Sequence, residues 1–480
     1  MNDLADKAVL VIGLGKSGVA AARLLVELGA RVTAVDSATS ENLEKQAAEL
    51  RAIGVTVLLG ATEAPKGPFS LGVISPGVPP LLPLVQEVKE TCLPLISELE
   101  LGYQFSRCLN ISITGTNGKT TTTELVERML THTQKRTVAA GNIGTPICSV
   151  AKQSVELDLL TLEVSSFQLE AIHYFRPIIA VMMNITPDHL DRYSGMEEYT
   201  KAKARIFENQ QMFDWAIIQS DALDQLKSIE ARIPSKIITF SATDRDADIY
   251  LERGLIISRI PNWSGPILNM DECRLMGPHN AENLMATLAI AFILRLPLEE
   301  VQKSLKSYIP AAHRCEVVAA VNGVRYVNDS KATNPDALDK ALQTMPLGKQ
   351  GEKNIFLIAG GRDKGFEYHS VGPLLSKRVK HAFLIGETKE KLRASWSLFT
   401  PCTLVGSLLE AVQESAQQAE SGDIVLLSPA CSSFDMFQNY QHRGDVFRQS
   451  VEHVERTIAG GVSASRAISS GDKVAVKALE

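Results

Sequence analysis

The sequence predicts an α/β chain of three domains, each built on a mostly parallel sheet covered by helices. Three observations predict it. The 480 residues are about three times the length of a typical domain of roughly 150. Short β-branched runs alternate with helical patterns along nearly the whole chain, as parallel sheets require. Glycine-rich or polar turns follow directly on these runs in three separate stretches, where such sheets carry their ligand loops.

Apolar residues make up 45% and charged residues 22%, a mixture that builds sizeable cores and is unlike a disordered or fibrous chain. The 49 basic against 55 acidic residues leave a net charge of −6, without the cationic excess that nucleic acid or anionic membrane binding needs. Neither partner is expected. The seven cysteines include no C-x-x-C pair, which argues against a disulfide framework or zinc ribbon and for a cytoplasmic protein. The apolar stretch Ala8–Ile12 runs straight into glycines, too short for a signal segment or a membrane span.

The first stretch opens with the strand Val9–Ile12, the turn Gly13-Leu-Gly-Lys-Ser-Gly18 and a helical segment to Leu28, closed by Gly29. Strands at Val32–Val35, Val55–Leu59 and Gly72–Ile74 follow, and a Pro-rich piece, Pro79–Pro94, loosens the pattern before a boundary near Ser97. A second sheet begins with Leu109–Ile113 and continues through Leu157–Leu162, Ile178–Met183, Trp215–Gln219 and Ile237–Phe240. Ile249–Ile260 reads as a small antiparallel insertion, and Gly277–Leu296 as a long apolar helix before a boundary near Pro310. A third sheet takes Val324–Val327, Asn354–Ala359, His381–Ile385 and Asp423–Leu427. The domains are therefore expected at 1–97, 98–310 and 311–460, with 461–480, rich in Ser, Gly and Ala, as a frayed tail.

Gly13-x-Gly15-x-x-Gly18 between strand and helix, with Asp36 ending the next strand, fits a Rossmann-like dinucleotide fingerprint whose helix N-terminus attracts phosphate. Alone it admits a structural turn, a nicotinamide cofactor or another diphosphate nucleotide. Gly115-Thr-Asn-Gly118-Lys119-Thr120 is a second phosphate loop, in which ATP or GTP is the natural ligand; Ile113 stands where the usual Walker spacing has glycine. Glu163 ends the strand Leu159–Leu162, and reads either as a Mg²⁺ ligand or as a helix-start carboxylate for Ser165–Glu170. Asn184, Asp188, His189 and Asp191 cluster in a turn after another strand, either a metal-binding group or an ordinary acidic turn.

Lys203 falls on the apolar stripe Tyr199, Lys203, Ile206, Phe207, away from Lys201 and Arg205. It either snorkels, or is a desolvated amine able to take up CO₂ as a carbamate beside a metal. In the third stretch Asp329–Asn334, Gly360–Gly365 and Ser428–Ser433 each follow a strand, so their polar groups should gather at one carboxyl edge; Asn334-Pro335 supplies a cap. His313-Arg314 could present a guanidinium to phosphate.

On these strings the chain resembles the Mur ligase family over residues 5 to 458, and the segments Ser165-Ser-Phe-Gln-Leu-Glu170, Asp329-Ser-Lys-Ala-Thr-Asn334 and Ser428-Pro-Ala-Cys431 are similar to those of its D-glutamate-adding members. The resemblance implies a Rossmann-like N-terminal UDP-binding domain, a central P-loop ATPase-like domain with a small β insertion, and a Rossmann-like C-terminal domain that receives the amino acid. It implies the UDP group on Gly15, Lys16 and Ser17 with Asp36, Ser37 and Gly77, and Asn142 facing the muramoyl-alanine arm, although Ala140 stands where the family often has glycine. ATP is implied on Gly115, Thr116, Asn117, Gly118, Lys119, Thr120 and Thr121, with Asn280, Asn283, Arg314, Asp329 and Lys331. Two Mg²⁺ ions are implied, one near Thr120 and Glu163, one near His189 and a carbamylated Lys203. D-Glutamate is implied at His189, Thr333, Lys364, Ser433, Phe434 and Tyr440. The implied activity is ligation of D-glutamate to UDP-N-acetylmuramoyl-L-alanine through an acyl phosphate in cytoplasmic peptidoglycan precursor synthesis, by a monomer with Lys119, Glu163, His189 and Lys203 as catalytic groups. A nicotinamide dehydrogenase would leave the phosphate loop and Lys203 idle, and a nucleotide-binding switch would leave the loops of the third stretch unexplained. A folylpolyglutamate synthase is disfavoured by the full α/β unit before Thr114.

Overall fold

The structure, a computed structural model, describes residues 4–190, 192–275, 277–310, 312–348 and 351–471. Asp191, expected in the acidic turn, lies outside the described residues, as do 472–480 of the expected tail. Three sheets form in chain order. They fall into two compact units, one holding the chain up to Thr186 with Arg192–Tyr308, the other the short loop from Pro187 with the chain from Ile309 onward.

In the first unit, β1 (Ala8–Ile12), β2 (Arg31–Asp36), β3 (Thr56–Leu59), β4 (Leu71–Ile74) and β5 (Leu95–Ser97) form a parallel sheet in the order β3-β2-β1-β4-β5. Strand order reverses between β1 and β4, which opens a crevice beyond their carboxyl ends. The second sheet takes β6 (Leu109–Thr114), β7 (Thr137–Gly141), β8 (Leu159–Glu163), β9 (Ile179–Met182), β10 (Trp215–Gln219), β11 (Lys236–Ser241), β12 (Ile249–Glu252), β13 (Leu255–Ser258) and β14 (Gly265–Asn269). Its order is β14-β13-β12-β11-β10-β9-β6-β8-β7. Strands β8 and β9 are buried throughout, which is why their sequences read as continuous apolar runs. The expected antiparallel patch forms, β12 with β13 and β13 with β14, and it extends this sheet because β12 also pairs in parallel with β11. Strands β5 and β7 have no counterpart among the predicted elements. β5 has only three residues, and the last three of the five residues of β7 are Ala and Gly.

The join between these two sheets is polar. Ser97 donates its N–H to Ala171 O at 2.8 Å, and the helix Glu98–Phe105 that follows buries both Glu98 and Glu100 completely. Glu100 accepts the N–H groups of His173, Tyr174 and Phe175 at 2.9–3.1 Å, whereas the Glu98 carboxyl accepts the Cys148 N–H at 2.8 Å through Oε1, its Oε2 having no partner among the described residues.

In the second unit, β15 (Glu316–Val321), β16 (Val324–Asn328), β17 (Ile355–Gly360), β18 (Val379–Ile385), β19 (Cys402–Leu404) and β20 (Ile424–Leu427) run in the order β15-β16-β20-β17-β18-β19. Only β15 is antiparallel to its neighbour. The last helix spans Tyr440–Gly471, so residues 461–471 continue it past the expected end of the domain. Among the described residues no helix is long and apolar enough to cross a membrane.

Candidate active site

The crevice of the first sheet is a cavity of about 380 Å³ lined by Gly15, Lys16, Ser17, Asp36, Ser37 and Gly77 among others, so the residues expected to hold UDP share one wall system. Gly15 caps the helix Lys16–Glu27 without a side-chain bond to its first turn, and a helix start of this kind suits an anion. Asp36 spends its carboxylate on the backbone: Oδ2 accepts Leu14 N–H at 2.7 Å and Oδ1 accepts Ala38 N–H at 2.9 Å. It shapes the turn as well as lining it. Asn142 is not part of this cavity lining.

In the second sheet β6 lies between β8 and β9, which puts the phosphate loop after β6 beside Glu163 at the tip of β8. The loop ends at Gly118, the cap of the helix Lys119–His132, with φ 84°. A Cβ there would stand 2.5 Å from Asn283 Oδ1, so glycine is required both by the left-handed backbone and by the asparagine lying on it. Asn283 also accepts from Thr122 Oγ1 at 3.2 Å and donates to Asn280 Oδ1 at 3.1 Å. Asn184 clamps the other side: its Oδ1 accepts Asn117 N–H at 2.8 Å and its Nδ2 donates to Asn117 O at 3.0 Å. Lys119 Nζ donates to Gly115 O at 2.9 Å and Thr116 O at 2.8 Å.

Lys203 is 2% exposed and donates to the same Gly115 O at 2.9 Å, with its ammonium 4.5 Å from the Tyr199 ring centre. The snorkelling alternative is thereby removed. Tyr199, Ile206 and Phe207 are buried with it, as the stripe requires, although the helix is shorter than its periodicity implies, Met196–Ala204 followed by a tighter turn at Arg205–Phe207.

Glu163 is 3% exposed. Its Oε1 accepts Asn142 Nδ2 at 2.8 Å, and its Oε2 is buried with no hydrogen-bond partner among the described residues. The helix-start role falls instead to Ser165, whose hydroxyl and Gln168 form a reciprocal capping box. An orphaned carboxylate oxygen at the tip of a buried strand, beside a phosphate loop carrying Thr120, fits a hard divalent cation. No group of three or more His, Cys, Asp or Glu side chains suited to a metal occurs among the described residues, so an ion here would take part of its shell from hydroxyl, water or phosphate oxygen, as Mg²⁺ commonly does.

In the second unit the three loops do gather, because β16, β20 and β17 are neighbours. Asp329 Oδ2 accepts Ser428 Oγ at 2.9 Å, Gly360 N–H reaches Pro429 O at 2.9 Å, and burial pushes the Asp329 carboxyl up to about 7. Asp188 receives Asn334 Nδ2 at 3.3 Å and the Lys364 ammonium at 3.5 Å; next to it, His189 has φ 56° and its Nε2 lies 3.7 Å from Asp188. Asn334 caps the helix Pro335–Thr344 as its sequence implies. Lys331 lies 4.1 Å from the centre of the Tyr440 ring. Ser433 is buried, Arg314 and Thr333 are half-buried, and Phe434 is exposed. His313 is buried, its Nδ1 3.0 Å from Asn328 Nδ2.

The sequence reading missed Arg443. It is fully buried and donates to Ser330 Oγ at 3.0 Å, Ser330 O at 2.8 Å, Cys431 O at 3.1 Å and Ser432 O at 3.3 Å, so one guanidinium ties two of the three loops together. Its signal was an arginine in an otherwise apolar helical face, Arg443, Phe447, Val451, Val454. Burial lowers it to about 10.

Fold and site define a nucleotide-using enzyme with a glycine-rich loop on the central sheet, a separate crevice at the edge of the first sheet and a third sheet whose polar loops gather at one edge. Residues 7–97, 113–291 and 313–431 match, respectively, the Mur ligase MurD-like N-terminal domain, the Mur ligase middle domain and the Mur ligase glutamate ligase domain. The chain belongs to the Mur ligase family. It is 40% identical to a UDP-N-acetylmuramoylalanine–D-glutamate ligase of Koribacter versatilis, over 94% of this chain and 98% of that one, and 38% identical to one of Caldicellulosiruptor bescii, over 95% and 99%. Among solved structures it shares its three-domain fold with MurF from Acinetobacter baumannii (TM-score 0.60, 17% identity, 92% of this chain and 93% of that one) and with MurF ligase from Thermotoga maritima in complex with ADP (0.57, 15%, 94% and 96%).

Proposed function

We infer that this chain is an ATP-dependent amide ligase that adds D-glutamate to UDP-N-acetylmuramoyl-L-alanine, releasing ADP and phosphate, in peptidoglycan precursor synthesis. The observation that carries the chemistry is the convergence of Lys119 and the buried Lys203 on Gly115 O, on the sheet edge that also presents the orphaned oxygen of Glu163. The choice of D-glutamate is supported by the near full-length relatives of that name. In this reading 1–97 holds the UDP group, 98–310 ATP and 311–460 the amino acid. Both nucleotides belong to the cytoplasm, and the chain is taken to act there as a monomer.

The substrate carboxylate attacks the γ-phosphorus of ATP, forming the acyl phosphate as the bond to ADP breaks; the D-glutamate amine then attacks the acyl carbon and phosphate leaves. Gly115–Thr121 hold the triphosphate through backbone N–H groups and Lys119, with Asn280 and Asn283 fixing the loop beneath it. Arg314, Asp329 and Lys331 are assigned to the same nucleotide by the resemblance. Asn142 is assigned to the muramoyl-alanine arm, and Gly15, Lys16, Ser17, Asp36, Ser37 and Gly77 to its UDP. D-Glutamate is assigned to His189, Thr333, Lys364, Ser433, Phe434 and Tyr440. Thr120 and Glu163 would hold one Mg²⁺, and His189 with a carbamylated Lys203 a second; bound there, the ions supply charge neutralisation where three anionic groups meet. An ammonium at Lys203 gives no oxygen ligand, whereas its carbamate does. The test is phosphate release from ATP with UDP-N-acetylmuramoyl-L-alanine and D-glutamate, compared with L-glutamate, L-lysine and meso-diaminopimelate. Release that does not depend on D-glutamate would overturn the reading.

A further inference from the structure

One group outside these assignments joins the diphosphate crevice to the central sheet. The crevice wall opposite the Gly13 turn is the loop after β4, from Ser75 to Pro79. Loop and turn are in direct contact: Ser75 Oγ donates to Gly13 O at 2.8 Å, and a Cβ on Gly13 would stand 2.4 Å from Val78 Cγ2. A shift of the loop must therefore shift the turn.

Pro76 and Pro79 carry no N–H, and the loop is held from outside by Arg192. Its Nη1 donates to Pro76 O at 3.2 Å and Val78 O at 3.4 Å. Its Nη2 donates to Glu170 Oε2 at 2.6 Å, its Cζ lies 4.0 Å from the centre of the Phe167 ring, and Glu170 Oε1 accepts Tyr193 OH at 2.6 Å. Only 14% of the Arg192 side chain is exposed, and Nε is buried without a partner among the described residues. A planar fork engaged through both Nη groups and stacked on a ring has one available orientation, which an ammonium on a flexible stem does not reproduce.

We propose that Arg192, anchored by Glu170 and Phe167, is a positioning residue for the first-domain nucleotide: it sets the Ser75–Pro79 wall against the Gly13 turn and thereby the affinity for the UDP portion of the substrate. The proposal rests on the reading of the crevice as the UDP site. It assigns a task to Glu170, the last residue of a segment in which Ser165 and Gln168 form the capping box.

The test compares Arg192→Lys and Glu170→Gln with the wild-type full-length chain, by calorimetric titration with UDP and by steady-state kinetics. Arg192→Lys keeps the charge but cannot hold both carbonyls and the carboxylate, and the loss of a charge-assisted hydrogen bond corresponds to about tenfold or more in affinity. The expected result is a rise of about that size in the Kd for UDP and the KM for the UDP substrate, with the KM values for ATP and D-glutamate unchanged. Glu170→Gln, which frees the guanidinium without emptying its place, should give a smaller shift in the same parameters, and it decides the matter if Arg192→Lys does not fold. A merely structural role would move all three KM values and the melting temperature together, and that outcome overturns the proposal. So does unchanged UDP affinity in a folded Arg192→Lys, or in Glu170→Gln where Arg192→Lys does not fold. Failure of the wild-type chain to bind UDP would instead remove the reading of the crevice itself.

Discussion

Replacing Glu98 with glutamine should change how the stability of the first unit depends on pH. Burial is the largest influence on this carboxyl and pushes it from an ordinary 4.5 up to about 7. Between those values the folded chain keeps a proton that the unfolded chain has released, so stability falls as pH rises through the window and is flat on either side. At 1.36 kcal/mol per pH unit, the loss is about 3 kcal/mol in all, of which about 2.5 kcal/mol falls between pH 5 and pH 8. Glutamine keeps an oxygen for the Cys148 N–H but places a neutral NH₂ where Oε2 has no partner, a cost of about 1–3 kcal/mol that does not vary with pH. The variant should therefore gain about 2.5 kcal/mol relative to the wild type on going from pH 5 to pH 8, whatever its constant offset. Urea unfolding of both chains at the two pH values, followed by the fluorescence of Trp215 and Trp263 in this unit, measures that difference. An offset equal at pH 5 and pH 8 would refute the account of Glu98 as a carboxyl held neutral by burial.

Lys119→Ala removes the ammonium that bonds Gly115 O and Thr116 O; turnover should fall by about 10²–10³ or more with the fold retained in circular dichroism, as loss of a preorganised charge does. Lys203→Ala should abolish most activity, and acetate or formate should restore part of it where small amines do not; rescue by amines would contradict an anionic role for this residue. Arg443→Lys should destabilise the second unit by about 2–4 kcal/mol, read as a lower urea midpoint, since one ammonium cannot serve Ser330, Cys431 and Ser432 together.

The two glycine-rich loops were legible in the sequence because each is a contiguous string bounded by its own elements: Gly13–Gly18 between strand and helix, and Gly115–Thr120 after a buried run. The burial of Lys203 was legible too, since a helix repeats its faces every three to four residues and Tyr199, Ile206 and Phe207 fix the inward one. Two open alternatives needed contacts to close them: Ser165 and Gln168 form the cap that Glu163 might have supplied, and Lys203 bonds Gly115 O where it might have snorkelled. Tertiary structure alone decided what depends on residues far apart in the chain. Arg192 meets Pro76 and Val78 more than a hundred positions earlier, and Arg443 reaches back to Ser330. Neither pairing leaves a local pattern, because a guanidinium on a long side chain takes its acceptors from whatever backbone the fold brings within reach. The same holds for Glu98, whose carboxyl is pushed up by complete burial at the join of two sheets, an environment that no spacing of residues along the chain encodes.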